Sequence, residues 1–166
     1  MPDTYAHSDL SGTDFSQVDL SGQSLAHSTI TGCRFGDCRG ARFICSRGGD
    51  VDFRGADISG ASFEKAYESV LSSLVGATWN GVGITHVSGW LVTDGYWAFV
   101  TNAFVQIGCM QKTISEWQAI GATREALGHA LSDRLSVEQL DATFDWWQRN
   151  SAALLGCSDR FSGGGE

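Results

Sequence analysis

The chain has 166 residues and a net charge of −8, from 19 acidic and 11 basic side chains, and each half split at Leu74 carries −4. No apolar run approaches the roughly 18 residues that a membrane span needs, and no basic patch dominates either half, which argues against phosphate-backbone binding. Glycine reaches 21 against a single proline, which points to recurring tight turns and not to a disordered Pro/Gly linker.

The N-terminus, Met1 to Tyr5, has neither basic residues nor an apolar stretch, so no secretion signal is read there and the cytoplasm is the expected compartment. From Ser8 a repeat begins. Large apolar residues recur every five positions at Leu10, Phe15, Leu20, Leu25, Ile30 and Phe35. Two positions before each stand mostly small residues: Ser8, Thr13, Val18, Gln23, Ser28 and Cys33. Between them lie Asp9, Asp14, Asp19, Ser24, Thr29 and Arg34, and Gly12, Gly22 and Gly32 follow some central residues by two. A period of five fits neither the 3.6 of a helix nor the 2 of a flat strand. It suits a square coil in which each pentad forms one side, with the large residue and the small one before it pointing inward.

After Phe35 the phase slips. Cys38-Arg39-Gly40 keeps the frame without a large residue, and Ala41-Arg42-Phe43 restarts it early. Ser46-Arg47-Gly48, Val51-Asp52-Phe53, Ala56-Asp57-Ile58 and Ala61-Ser62-Phe63 follow in register. The slip reads as a loop or an irregular coil edge. A second break near 64–72, with Ala66, Tyr67, Val70 and Leu71 apolar, reads as a short helical excursion, and the pattern returns at Leu74, Trp79 and Ile84.

Ala56-Asp57-Ile58-Ser59-Gly60, Val51-Asp52-Phe53-Arg54-Gly55 and Val18-Asp19-Leu20-Ser21-Gly22 resemble the pentapeptide-repeat family, whose consensus is Ala-(Asp/Asn)-Leu-X-X. The resemblance implies a mainly β fold: a short right-handed quadrilateral β-helix over residues 1–88, of roughly three coils and on the order of 15 Å tall. The expected core is Leu10, Phe15, Leu20, Leu25, Ile30, Phe35, Phe43, Phe53, Ile58, Phe63, Trp79 and Ile84.

Beyond Gly89 the five-residue period ends. Trp90-Leu91-Val92 and Tyr96 to Val100 read as strands around a turn at Thr93-Asp94-Gly95, with a third strand over Phe104 to Cys109. Thr113-Ile114-Ser115-Glu116 forms a capping-box pattern opening a helix through Trp117 and Ile120. A helix over Arg124 to Leu131 and a longer one from Ser136, with Val137, Leu140, Phe144, Trp147 and Leu154 on one stripe, complete a small α+β cap over 89–157. Residues 158–166 are Gly/Ser-rich and read as a flexible tail. The run Val105 to Trp117 resembles a strand-Gly-Cys-helix signature of C-terminal modules in small bacteriophage-type proteins, which implies a phage or mobile-element origin and names no activity.

The chemistry-bearing residues do not assemble into a reaction centre on the page of the sequence. His7, His27, His86 and His129 are scattered, with no pair at ligand spacing, and the five cysteines read as reduced, mostly buried thiols. Cys33 and Cys38 both stand at the small inward position in this frame. Cys109 ends a strand before a helix N-terminus, where a thiol pKa falls. It is the one candidate reactive thiol, with His86 the only base near in sequence. The recurring aspartates read as turn and solvent-facing residues.

No metal or other cofactor is implied, and a non-enzymatic interaction protein is expected, acting through the coil surface or the cap. Arg34, Arg39, Arg42, Arg47 and Arg54 form the one basic stretch and are the first place to look for a contact surface. Tyr96, Trp97 and Trp146 are aromatic alternatives, since aromatics with arginine dominate interface hot spots. The expected partner is a protein, with a homo-oligomer as an alternative, no direct nucleic-acid binding and no membrane. Host cytoplasm is expected for a phage-encoded protein, or a place in the virion. The runner-up reading is a DNA mimic that inhibits or protects DNA gyrase or topoisomerase, which the acidic charge favours and the short, arginine-studded coil opposes. A thiol-dependent enzyme at Cys109 ranks third.

Overall fold

A computed structural model describes residues 5–93, 96–108, 110–131 and 136–162; the side chains of 88–97, 131 and 153–162 lie outside that description. The local rule of the repeat is set by aspartate. Oδ1 of Asp9, Asp14, Asp19, Asp37, Asp52 and Asp57 accepts the backbone N–H two residues on, from Ser11, Ser16, Ser21, Arg39, Arg54 and Ser59, at 2.8 to 3.2 Å. Such side-chain turns bend the chain after the central residue at these six positions.

Each bend sends the chain back over itself one circuit later. Parallel bridges join Asp9 to Thr29 to Arg47, Ser24 to Arg42 to Ser62, and Asp37 to Asp57 to Thr78. The fourth column runs from β1 (Asp14–Phe15) to β2 (Arg34–Phe35) and on to Asp52. These are isolated bridges and two-residue strands, so the order is that of stacked rungs and not of long continuous strands.

Circuit length explains the phase slip. Bridged residues are 20 apart at first (9 to 29, 14 to 34), then 18 (24 to 42, 29 to 47, 34 to 52), then 20 again (37 to 57, 42 to 62). Two residues are missing after Phe35, and the frame is otherwise unbroken to Phe63. The expected loop or irregular edge is therefore corrected to a shortened side, with Gly36-Asp37-Cys38 taking the place of a full pentad. Only glycine fits there, because a Cβ on Gly36 would run into the Ser16 carbonyl. The frame of Cys38 is corrected with it. It occupies the central column, its N–H bonded to the Asp57 carbonyl at 2.9 Å, below Leu20, whose N–H donates to the Asp37 carbonyl at 3.0 Å.

The interior is aromatic. Phe15, Phe35 and Phe53 stack at 5.5 and 4.7 Å, Phe43 and Phe63 stack at 5.0 Å, and the two stacks meet edge to face. The expected core residues are buried, except that Leu10 on the first rung is half-buried. Thr13 and Val18 were expected to point inward, but both are exposed. No rung lies above them among the described residues.

Gly48 takes a central position without a side chain, and α1 (Glu68–Ser72) runs past it. Ser69 Oγ donates to the Gly48 carbonyl at 2.5 Å, and Val70 and Leu71 join the same core. After β3 (Thr78–Trp79) the repeat stops. Asn80 and Gly81 both have positive φ (46° and 79°), and β4 (Val82–Gly83) returns antiparallel to β3. This two-residue hairpin corrects the reading of Val82-Gly83-Ile84 as a further coil side. Ile84 is still buried, bonded back to Ala77 and Gly76.

A four-stranded antiparallel meander follows: β5 (Val87–Thr93), β6 (Tyr96–Thr101), β7 (Val105–Ile107) and β8 (Met110–Lys112). The expected third strand ends at Ile107, and Gly108, with a φ of 55°, turns the chain toward β8, a strand absent from the sequence reading. The turn residues Asp94 and Gly95 lie outside the described residues. Helix α2 (Ile114–Gly121) begins with the expected capping box, Thr113 Oγ1 accepting the Glu116 N–H and Glu116 accepting the Thr113 N–H. Helix α3 (Arg124–Leu131) leads to α4 (Val137–Ser162), opened by reciprocal bonds between Ser136 and Gln139.

Two expectations for α4 are corrected. Among its described side chains the buried ones are Thr143, Trp146 and Trp147, rotated from the expected stripe, so Val137 is 68% exposed; the side chain of Leu154 lies outside the described residues. The helix also continues through Ser162, past the expected start of the tail at Ser158, because the glycine run does not begin until Gly163.

Candidate interaction surface

The five arginines form one stretch in sequence and no patch in space. One circuit takes 18 to 21 residues, so positions 34 to 54 are spread around all four columns. Arg34 and Arg54 flank Asp52, Arg39 sits beside Asp37, Arg42 bridges Ser24 and Ser62, and Arg47 lies under Thr29. The expected single basic contact surface is therefore corrected to scattered cations among aspartates.

These cations are held in place. Arg54 grips Asp52 with Nε at 2.9 Å and Nη2 at 3.0 Å, and Arg39 grips Asp37 at 2.9 and 2.6 Å. Arg47 Nε donates to Thr29 Oγ1 at 3.1 Å on the rung above. Asp52 feels both the Arg54 hydrogen bonds and the Arg34 charge, and its carboxyl falls to about 2. Asp9, Asp14 and Asp19 are lowered by hydrogen bonds from Ser11, Ser16 and Ser21, and Asp37 by those from Arg39. The aspartates are thus ionised turn-formers whose free edges face solvent. One column, Asp19, Asp37 and Asp57, is acidic on three successive rungs, with Arg39 as the adjacent cation.

The aromatic alternatives fare differently. Trp146 is only 2% exposed and Trp147 6%, because Trp147 packs on Trp117 beneath the meander; Trp146 is corrected from a contact residue to a core residue. Tyr96 and Trp97 have side chains outside the described residues. Tyr67, which the sequence reading passed over as part of the helical excursion, is 57% exposed at the start of α1. The signal available for it was its place in a break of the repeat, where no inward column claims the side chain.

Cys33 and Cys38 are buried thiols. Burial pushes Cys33 up, and its Sγ–H donates to the Leu10 carbonyl at 3.0 Å; burial pushes Cys38 up to about 12. Cys109 lies outside the described residues. Among the described residues, no group of three or more His, Cys, Asp or Glu side chains is arranged to hold a metal ion.

Where the repeat meets the C-terminal part, two glutamines continue its ladder. In the column above, Phe43 N–H donates to the Ser62 carbonyl and Ser62 N–H to the Ala41 carbonyl. The next such pair is made by side chains: Gln106 Oε1 accepts the Phe63 N–H, and Gln111 Nε2 donates to the Ala61 carbonyl. Gln106 and Gln111 face each other across β7 and β8, bonded at 3.2 Å, and Trp79 Nε1 donates to Gln111 Oε1 at 2.9 Å. One amide pair reproduces both bonds of a parallel bridge. A shallow pocket at this seam is lined by Gly60, Ala61, Trp79, Asn80 and Gln111.

Comparison with known proteins bears on the first part of the chain. Residues 6–39 match the family model for pentapeptide repeats, in eight copies. No curated protein matches the chain. It is similar to a crystal structure of a pentapeptide repeat protein from the thylakoid lumen of Arabidopsis thaliana, at 32% identity over 37% of this chain. The match spans 48% of that protein, about half its length, and the TM-score of 0.26 carries no inference about the shared shape. No helix among the described residues is long and apolar enough to cross a membrane. Residues 6–39 of this chain are thus a run of pentapeptide repeats.

Proposed function

We propose that this protein is a non-enzymatic binding protein that recognises another protein through the outer side of its repeat. Its N-terminal half we read as a right-handed quadrilateral β-helix, as the repeats imply. The observation that carries the functional reading is the Arg34–Asp52–Arg54 cluster with Asp14 on the rung above. Each carboxylate is fixed by a backbone N–H and each guanidinium is set against a carboxylate, so the charge pattern exists before any partner arrives. Preorganised charge lowers the ordering cost of association and sets partner choice. The resemblance at Val105 to Trp117 favours a phage or mobile-element accessory role, in the host cytoplasm or the virion, with a homo-oligomer as the self-binding form of the same idea.

A second reading, mimicry of DNA toward gyrase or topoisomerase, draws on the Asp19–Asp37–Asp57 column. Three rungs extend only about 10 Å at β spacing, and arginines interrupt the neighbouring columns. The column is short for a duplex mimic.

Affinity capture from host lysate with the full chain and an Arg34→Glu/Arg54→Glu variant tests the proposal. One protein captured by the wild type and lost by the variant supports it. Gyrase or topoisomerase subunits captured equally by both variants favour the second reading. A partner other than these, held equally by both, sinks the role of this cluster.

A further inference from the structure

Four corner positions recur as the chain winds, each two residues after a central residue, and three of them use glycine in the left-handed region. Gly12 and Gly32 occupy the first, Gly55 and Gly76 the second, and Gly22, Gly40, Gly60 and Gly81 the third, all at φ between 68° and 94°. Non-glycine exceptions on those corners are Gln17, Asp50 and, on the shortened side, Asp37, of which Asp50 alone shares the left-handed φ, at 53°. The fourth corner contains no glycine on any rung. Its residues are His7, His27, Cys45 and Lys65, at φ of 56°, 58°, 55° and 54°.

A left-handed φ costs an L-residue energy that glycine does not spend. Histidine tolerates it better than most residues, yet cysteine and lysine hold the same corner on the rungs below. Glycine would serve the turn on every rung, which singles out the side chains that stand there instead. Three successive rungs carry two imidazoles and a thiol.

The corner is registered by the backbone. His7 N–H donates to the Ala26 carbonyl at 2.9 Å, His27 N–H to the Ile44 carbonyl at 2.8 Å, and Cys45 N–H to the Glu64 carbonyl at 2.9 Å. These bonds hold the successive corner residues at the rung spacing of about 4.8 Å. The rings of His7 and His27 lie parallel, 6° apart in plane, with centroids 4.9 Å apart, and both residues are exposed.

We propose that His7 and His27 together form a surface site for a divalent transition ion of the Ni2+, Cu2+ or Zn2+ class, one nitrogen from each imidazole and water in the remaining positions. Imidazole is the ligand such ions take readily, at about 2.0–2.1 Å from nitrogen. Two rings 4.9 Å apart are near enough to reach one ion with one nitrogen each once both exposed side chains turn out of the stack, since the lone pairs of parallel rings do not converge. The site is bidentate because, among the described residues, no third His, Cys, Asp or Glu already converges with them. Coordination requires both imidazoles to be neutral, so acid weakens it.

The test exploits the glycine of the other corners. The untagged full chain in a Cys45→Ser background, which removes the thiol on the next rung of this corner, is titrated with Ni2+ by calorimetry at neutral pH. One equivalent is expected to bind, at least about tenfold weaker in either His7→Gly or His27→Gly, since losing one ligand of a chelating pair removes the chelate. Without metal, both glycine variants unfold at or above the parent temperature, because glycine is the residue this turn favours; their folding keeps the comparison clean. Absence of binding by the parent at millimolar Ni2+ overturns the proposal. So does binding that persists undiminished in both glycine variants.

Discussion

The repeat and the C-terminal part both bury large aromatics, but they fix them by different means. In the repeat, buried central residues bond the rung below through their own N–H, as with Leu25 to Arg42, Phe35 to Asp52 and Phe43 to Ser62. The backbone ladder places the side chain, and the side chain fills the space the ladder leaves. In the C-terminal part, Trp117, Trp146 and Trp147 come from two helices laid on a meander, and a side-chain bond, Trp117 Nε1 to the Val105 carbonyl at 2.8 Å, ties helix to strand. The lesson is about surfaces. Outward residues of the repeat inherit the regularity of the ladder, whereas those of the helices depend on how each helix is rotated.

The largest effect that can break this comparison is at Phe43, which touches Phe35, Phe53 and Phe63 and is fully buried. Phe43→Ala is expected to lower unfolding free energy by about 3–5 kcal/mol in urea titration. A cost below about 1 kcal/mol would mean that the aromatic stacks do not hold the repeat together.

A paired glycine experiment comes next. A Cβ on Gly48 would meet the Thr31 nitrogen at 2.6 Å, whereas one on Gly55 meets nothing within 4 Å; both have positive φ. Gly55→Ala is expected to cost about 1–2 kcal/mol from conformation alone, and Gly48→Ala a further 1–3 kcal/mol for the clash with a rung that cannot move. Equal losses would contradict the tight rung spacing at Gly48.

At the seam, Gln106→Ala removes the acceptor of the Phe63 N–H and leaves a buried donor unmet, for an expected loss of about 1–3 kcal/mol. Acid acts most heavily on the repeat, although Glu116 in the C-terminal part is also held low by its bonds with Thr113. Asp9, Asp14, Asp19 and Asp37 titrate below their ordinary 3.8 in the folded chain and Asp52 near 2, all within the repeat. Depressed folded values stabilise the fold above the unfolded value, and that contribution is lost as pH falls from about 4 toward 2. Circular dichroism melts over that window should show the midpoint dropping, and Asp52→Asn should flatten the drop. The smallest effect is expected at Arg39, 59% exposed beside Asp37, where Arg39→Ala should leave the melting midpoint within error.

The repeat was legible because a five-residue period needs only local chemistry: an aspartate that bonds two residues ahead and an apolar residue after it. The position of Cys38 was not, because a two-residue deletion shifts the frame without changing composition, and only the bridge from Asp37 to Asp57 reveals it. The hairpin at Asn80-Gly81 carried a strong turn signal that the five-residue period masked. In the C-terminal part the capping box at Thr113 and the start of α4 at Ser136 were legible, being local. The buried side of α4 was not, since Val137 and Trp146 are sorted by rotation against the meander and apolarity alone does not set that rotation. The arginines mislead in the opposite sense: neighbours in sequence, they are dealt out to different columns by the winding itself. Gln106 and Gln111 had no sequence signal, because their role appears only once β7 and β8 are set under Phe63.

Amide hydrogen exchange, followed residue by residue by NMR, tests most directly whether the ladder continues through those glutamines. In the wild type the Phe63 amide should be protected much as the Phe43 amide is, although its acceptor is a side chain. In Gln106→Ala the Phe63 amide should exchange at least about tenfold faster, the equivalent of 1.4 kcal/mol, while Leu10 and Ile30 amides, one or more circuits away, change far less. A Phe63 amide that exchanges at the same rate in both proteins would contradict the continuation of the rungs into the C-terminal part.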